Sequence, residues 1–199
     1  MDNLIKHIIL ILLAISTLTA CAGIPITSIW KLRNLNPLDT DPAEISIAVV
    51  THQGVQLQDG STSLSLGFSS EVTEHNFTDE YVASIRRNAD PAEVQADVNE
   101  DEAVTVFFLN PKAAEAMRTS QNRIRAIRDQ QIEGSGSLSV SVHSGCSIGP
   151  KPDQLTADIY VKFNSRDGYI LLNQNLDLFA MAARADQPGL WVECDQEAH

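Results

Sequence analysis

The sequence predicts a mainly β fold: an antiparallel β-sandwich of about eight strands with one long amphipathic crossover helix at about residues 111–131. Three observations predict it. Apolar and polar residues alternate with a period of two at 45–50, 64–68, 138–142 and 155–163, the mark of strands with one face on a core and one in water. One stretch, opened by Asn110-Pro111, carries helical spacing and stands between two strand signals. Turn pairs such as Asp59-Gly60 and Asp167-Gly168 punctuate the strands.

The chain opens with Met1–His7, a short polar leader carrying Lys6, followed by the aliphatic run Ile8–Ile15 and the exit Leu18-Thr19-Ala20-Cys21. A charged leader, a short apolar run and small residues describe an export signal. The run is too short to span a membrane, which takes about 20 apolar residues. Ala20-Cys21-Ala22 also suits an ordinary signal peptidase, and an uncut anchor is a further alternative. A cysteine this soon after the apolar run favours a lipidation signal. The domain boundaries that follow are a signal peptide at 1–20, an N-terminus and tether at 21–43, and a single β-rich globular domain at 44–199.

In the tether, Pro25, Pro37 and Pro42 block helix, and Asp39-Thr40-Asp41-Pro42 is turn chemistry. Ile29–Arg33 alternates apolar and basic residues, which predicts a first edge strand, with Trp30 in a core or edge role. Strands are then expected at 45–50 and 64–68, and Val72, Phe77, Tyr81, Val82 and Ile85 predict one or two more. Residues 71–102 hold ten acids against Arg86 and Arg87 alone. Clustered carboxylates suit a calcium ion, but no Asp-x-Asp-x-Asp-Gly pattern is present, so the segment reads as a solvated acidic face.

Val104–Leu109 is apolar throughout and predicts a central strand buried on both sides. Asn110 suits the N-cap and Pro111 the first helical position. The expected inward stripe of the helix is Ala113, Met117, Ser120, Ile124, Ile127 and Gln131, ending before Gly134-Ser135-Gly136. Arg118, Arg125 and Asp129 lie opposite that stripe, with Arg123 and Arg128 flanking it. Next come a strand from Leu138 to Cys146, the strand Leu155–Phe163 and the strand Tyr169–Leu172. A short helical turn over Asn175–Arg184 bears Leu176, Leu178, Phe179 and Met181, and Leu190–Cys194 is the last strand.

The chain has three cysteines. With Cys21 used by the leader, Cys146 and Cys194 remain as an even pair in an exported chain, which predicts a disulfide between them. A net charge of −12 excludes nucleic acid as a partner and argues against adhesion to anionic headgroups.

Gly145-Cys146-Ser147-Ile148-Gly149 matches the nucleophile elbow of serine hydrolases, which needs a helix straight after the serine. Pro150 and Pro152 forbid that helix, and only His199 lies downstream to serve as base. No catalytic residue is predicted. His52, His75 and His143 stand singly, so neither a metal site nor a cofactor is expected.

Leu-Thr-Ala-Cys at 18–21 resembles the lipobox of bacterial lipoproteins. That resemblance implies cleavage before Cys21 and a diacylglyceryl thioether on it. Ala22 stands where an inner-membrane lipoprotein carries Asp, which implies the periplasmic face of the outer membrane. Ile-Trp-Lys-Leu-Arg-Asn-Leu (29–35), Asp-Pro-Ala (41–43), the arginine-rich helix, Gly-Ser-Leu-Ser-Val-Ser-Val (136–142) with Cys146, and Leu-Asp-Leu (176–178) resemble small Gram-negative envelope lipoproteins. The likeness implies a location and carries no activity with it.

The expected function is therefore a lipid-anchored, non-catalytic interaction or structural module that docks another envelope protein through an edge strand or its charged faces. Glu100, Asp101 and Glu102 on the acidic side, and Arg118, Arg125 and Arg128 on the helix, are the candidate partner-binding residues. A carrier of an acyl chain or other small apolar ligand is the alternative, and a hydrolase built on the Ser147 region comes third.

Overall fold

The computed structural model describes residues 36–86, 91–94, 98–149, 154–180 and 191–194. Cys21, the leader and the strand expected at 29–33 lie outside the described residues. The fold is mainly β, with antiparallel sheets and few helices, arranged as a sandwich. Eleven strands are described where about eight are expected: β1 Ser46–His52, β2 Val55–Gln56, β3 Thr62–Ser70, β4 Phe77–Val82, β5 Ser84–Arg86, β6 Glu102–Phe108, β7 Gly134–Val142, β8 Gly145–Ser147, β9 Thr156–Lys162, β10 Ile170–Asp177 and β11 Trp191–Glu193. Helices α1 Pro91–Val94 and α2 Pro111–Asp129 accompany them, and residues 178–180 are also helical.

A five-stranded sheet runs β10-β9-β1-β6-β5, and a three-stranded sheet runs β4-β3-β7. A small third sheet, β11-β8-β2, contains one parallel pair, β11 with β8, among otherwise antiparallel pairings. The two larger sheets share a strand that changes partner midway. After β4, the amide of Ala83 donates to Thr62 O at 2.9 Å, and β5 then joins the five-stranded sheet. Such switches make the corners of sandwiches. α2 is the expected crossover, leaving β6 of one sheet and returning as β7 of the other.

One apolar core joins both sheets and the helix. Ile47 and Val49 of β1, Leu64, Leu66 and Phe68 of β3, Phe107 of β6, and Ile159 and Val161 of β9 meet Met117, Ile124 and Ile127 of α2. Each such burial contributes about 1.5–3 kcal/mol. The opposite face of the five-stranded sheet carries a smaller cluster of Ala48, Val94, Val106 and Tyr169. Burial on both sides therefore holds for β6 at Val106 and Phe107, while Phe108, at the strand end beyond the smaller cluster, is exposed. Above that cluster Glu93 meets Arg86 at 2.6 Å and Lys162 at 3.5 Å, and Lys162 stands 4.9 Å from the Tyr169 ring. The Arg86 hydrogen bond holds the Glu93 carboxyl below its ordinary value. Burial pushes the Tyr169 phenol up.

α2 starts as its residues dictate, with the Asn110 side chain accepting from the Ala113 amide and Pro111 next to it. Its buried stripe is Ala114, Met117, Ser120, Gln121, Ile124 and Ile127, a correction to the stripe expected through Ala113 and Gln131. The stripe leans toward Gln121 because Gln121 Nε2 donates to the carbonyls of Pro37 and Thr40 at 2.7 and 2.9 Å. Gln131 lies past the helix with φ 63°.

Three further expectations are corrected. Residues 36–44, read as tether and boundary, pack as part of the domain: Leu38 is in the core and Pro42–Glu44 forms a 3-10 turn capped by Asp41. Gly134-Ser135-Gly136, read as the break between the helix and a strand from Leu138, already begins β7 and pairs with Ser70, Ser69 and Phe68. A β-carbon on Gly134 would lie 2.4 Å from Phe68 Cζ, so glycine is there for close approach. Asn175–Asp177, read as helical, continues β10 after register shifts, with Asn175 at φ 52°. Asn and Asp tolerate that left-handed region, which lets the strand kink and resume. Residues 178–180 are helical as expected, with the Ala180 amide donating to Asp177 Oδ1 at 2.9 Å, and residues 181–184 lie outside the described residues.

Candidate functional site

The three-stranded sheet has two unlike faces. Leu64, Leu66 and Phe68 of β3 point to the core, as do Tyr81 and Phe77 opposite them on β4. The other face is built from small polar residues set opposite one another: Ser63 with Ser141, Ser65 with Ser139 and Glu80, and Gly67 with Ser137 and Thr78. Alternation of serine with Leu138, Val140 and Val142 produces this division directly.

Across that polar face Ser63, Glu80 and His143 form a closed triangle, one residue from each strand's neighbourhood. Ser63 Oγ donates to Glu80 Oε1 at 2.5 Å and lies 2.6 Å from His143 Nε2, which is itself 3.0 Å from Glu80 Oε1. The single hydroxyl proton goes to the carboxylate and not to the ring nitrogen. A nucleophilic triad needs the acid on the nitrogen remote from the serine. Here acid and hydroxyl share one nitrogen, and Ser63 is buried. The triangle ties three strands together. Sequence reading missed it because its members stand 17 and 80 positions apart.

At the border of this sheet lies β7, hydrogen-bonded among the described residues to β3 alone. The His143 amide donates to Ser61 O at 2.7 Å, which sets the phase of the ladder. In an antiparallel pair, residues alternate between bonding the neighbour and facing away from it. Odd-numbered residues of β7 thus bond β3, and Gly134, Gly136, Leu138, Val140 and Val142 direct their N–H and C=O groups outward. The other sheet borders are blunted. β5 and β11 have three residues and β2 two, β10 has register shifts, and β4 carries Asp79 and Glu80. β7 has nine residues in unbroken register, with no charge and no proline. Natural edge strands normally use such devices against pairing.

The expected partner-binding residues are only partly available. Arg118 pairs with Asp41 at 2.7 Å and with Glu115, and its cation, behind the Ala43 amide, helps hold the Asp41 carboxyl below its ordinary value. Arg125 donates to the Leu38 carbonyl and to Asn122. Both clamp the 36–44 segment, which corrects their reading as a free cationic face. Arg128 is exposed beside an open hollow of about 1190 Å³ that Ser69, Glu71, Gln131 and Glu133 also line. Glu100 and Asp101 are exposed in the turn before β6, and Glu102 Oε2 accepts from the Asn99 amide at 2.8 Å. The acidic and basic groups do not form one site.

Cys146 and Cys194 are disulfide-bonded, with Cα atoms 4.9 Å apart, and the bond ties β11 to β8. Ser147 ends β8 beside them. It shares the lining of a hollow of about 470 Å³ with His52 and Asp101. His52 Nδ1 accepts the Gly54 amide at 3.0 Å, and Nε2 faces Asp101 at 3.9 Å. The Ser147 hydroxyl donates to Gly149 O at 3.4 Å, and a bend follows it, not a helix. That geometry does not assemble a nucleophile.

Among the described residues no three of His, Cys, Asp and Glu gather as metal ligands, and no helix is long and apolar enough to cross a membrane. A scan against protein-family models, a search of curated proteins and a search of solved structures each returned no match.

Proposed function

We propose that the chain is a lipid-anchored envelope lipoprotein whose domain is a non-catalytic protein-interaction module at the periplasmic face of the outer membrane. Its docking element is the edge of β7 that no other described strand covers. The lipobox at Leu18–Cys21 supports the anchor, and the observation that carries the docking role is the nine-residue uncharged edge of β7. Five outward-facing residues offer a continuous row of donors and acceptors to an added strand. Main-chain pairing of this kind supplies affinity, and the flanking side chains supply selectivity.

The test is a photo-crosslinking residue at Ser139 in cells, on the full chain. A covalent protein adduct is expected, and Gly136→Pro is expected to remove it. Proline there deletes an outward N–H, and the nearest atom to a β-carbon at Gly136 is 3.9 Å away. Absence of any protein adduct, with the chain folded, overturns the docking reading. Mass spectrometry of the membrane-extracted protein tests the anchor separately: acyl mass on Cys21 is expected, and an unmodified mature N-terminus refutes it.

A further inference from the structure

We infer that the occupant of the β7 edge is a second copy of this chain, paired antiparallel about a two-fold axis through Leu138. This rests on the reading of β7 as the docking edge. The strand is self-complementary in that register. Leu138 is the midpoint of Gly134–Val142. It is also one of the residues whose backbone groups face outward, as the His143-to-Ser61 bond fixes. A two-fold there pairs Gly136 with Val140 and Gly134 with Val142 of the other copy, all outward-facing. About ten N–H···O bonds then form, and the two three-stranded sheets become one of six strands.

Side chains agree with the backbone. Leu138 meets its own copy on the core-facing side, where it is only partly buried in one chain, and Val140 lies over Gly136. Glycine opposite a branched residue leaves room for it. On the polar face Ser137 comes opposite Ser139, continuing the rows of small hydroxyls. Just beyond the strand the same register sets Glu133 of one copy against His143 of the other, at both ends. Each chain carries a net charge of −12, so association needs an uncharged contact with complementary groups at its margins, and this edge supplies both. Pairing also removes the exposed edge that a lone chain presents.

The register makes a specific demand. Ser137 and Ser139 of opposite copies form a non-hydrogen-bonded pair, with Cα atoms about 4.5 Å apart, within reach of a disulfide. Full-length chains carrying Ser137→Cys and chains carrying Ser139→Cys are purified in detergent, mixed and mildly oxidised. A disulfide-linked dimer is expected in the mixture, with far less from either variant alone, where like positions sit two residues out of register. Adding Gly136→Pro to both chains is expected to abolish the link while each chain keeps the circular dichroism spectrum of the folded domain. Native mass spectrometry of the unmodified chain is expected to show a dimer. A monomeric mass together with no preferential cross-link in the mixture overturns self-pairing. If the Ser139 photo-crosslinker then captures a different protein, the docking reading stands and only the identity of the partner is wrong. If it captures nothing, both fall.

Discussion

The guanidinium of Arg125 donates to the main-chain carbonyl of Leu38, so a cation on the exposed side of the long helix is committed to holding the start of the domain. Arg125→Ala should lower stability by about 1 kcal/mol, the usual effect of losing one such bond. Amide exchange should rise first within residues 36–44. Arg128→Ala, at an exposed side chain, should change stability by less than about 0.5 kcal/mol. Equal effects from the two variants would contradict this assignment. Urea titration and hydrogen exchange decide it.

Gly134→Ala should destabilise by about 1–3 kcal/mol, because the new methyl group meets atoms that cannot retreat. Phe68 is 2% exposed, and the second atom in the way is the Ser69 carbonyl oxygen at 2.6 Å. Gly136→Ala, with only Gly67 O near at 3.9 Å, should be close to neutral. Thermal melts of the pair give the comparison.

Removing the disulfide with Cys146→Ser and Cys194→Ser opens a loop of 48 positions, an effect of about 4 kcal/mol on the chain-entropy account. Protection at Trp191–Glu193 should be lost well before that of β1 and β9, since among the described residues β11 pairs only with the three-residue β8. Exchange that accelerates uniformly across the domain would count against this.

Stability should fall at both extremes of pH. Glu93 and Asp41 have folded values held below their ordinary values of 4.5 and 3.8. Their contributions are therefore complete above those ordinary values and lost as pH falls through the lowered ones. Tyr81 and Tyr169 are raised above 10.0 by burial, so their contributions are complete below pH 10 and are lost as pH rises through the raised values. A Glu93→Gln chain should be less stable than the parent at neutral pH, with the gap closing in acid. A gap that stays constant down to pH 2 would show that the Arg86 pair is not its source.

Local chemistry was legible wherever it acts alone. Asn110-Pro111 announced the helix start, the serine alternation announced β7, and the cysteine count announced the disulfide. What could not be read is set by distant partners. Gly134 resembles a breaker until Phe68 is placed against it, and Gln121 resembles a surface residue until Pro37 and Thr40 turn their carbonyls toward it. Arg118 and Arg125 look like a free face for the same reason. The docking edge needed one more fact, the phase of the β3–β7 ladder, because periodicity says which face a side chain takes but not which way its amide points.

The first described strand, β1, lies at the middle of its sheet between β6 and β9, pairing Ser46 with both Phe108 and Lys162. That placement sets a timetable for synthesis. Until residue 162 has left the ribosome, β1 has at most one of its two neighbours. Contacts this distant in sequence form slowly, because loop closure must precede them. The five-stranded sheet therefore closes around β1 only when most of the chain has been made.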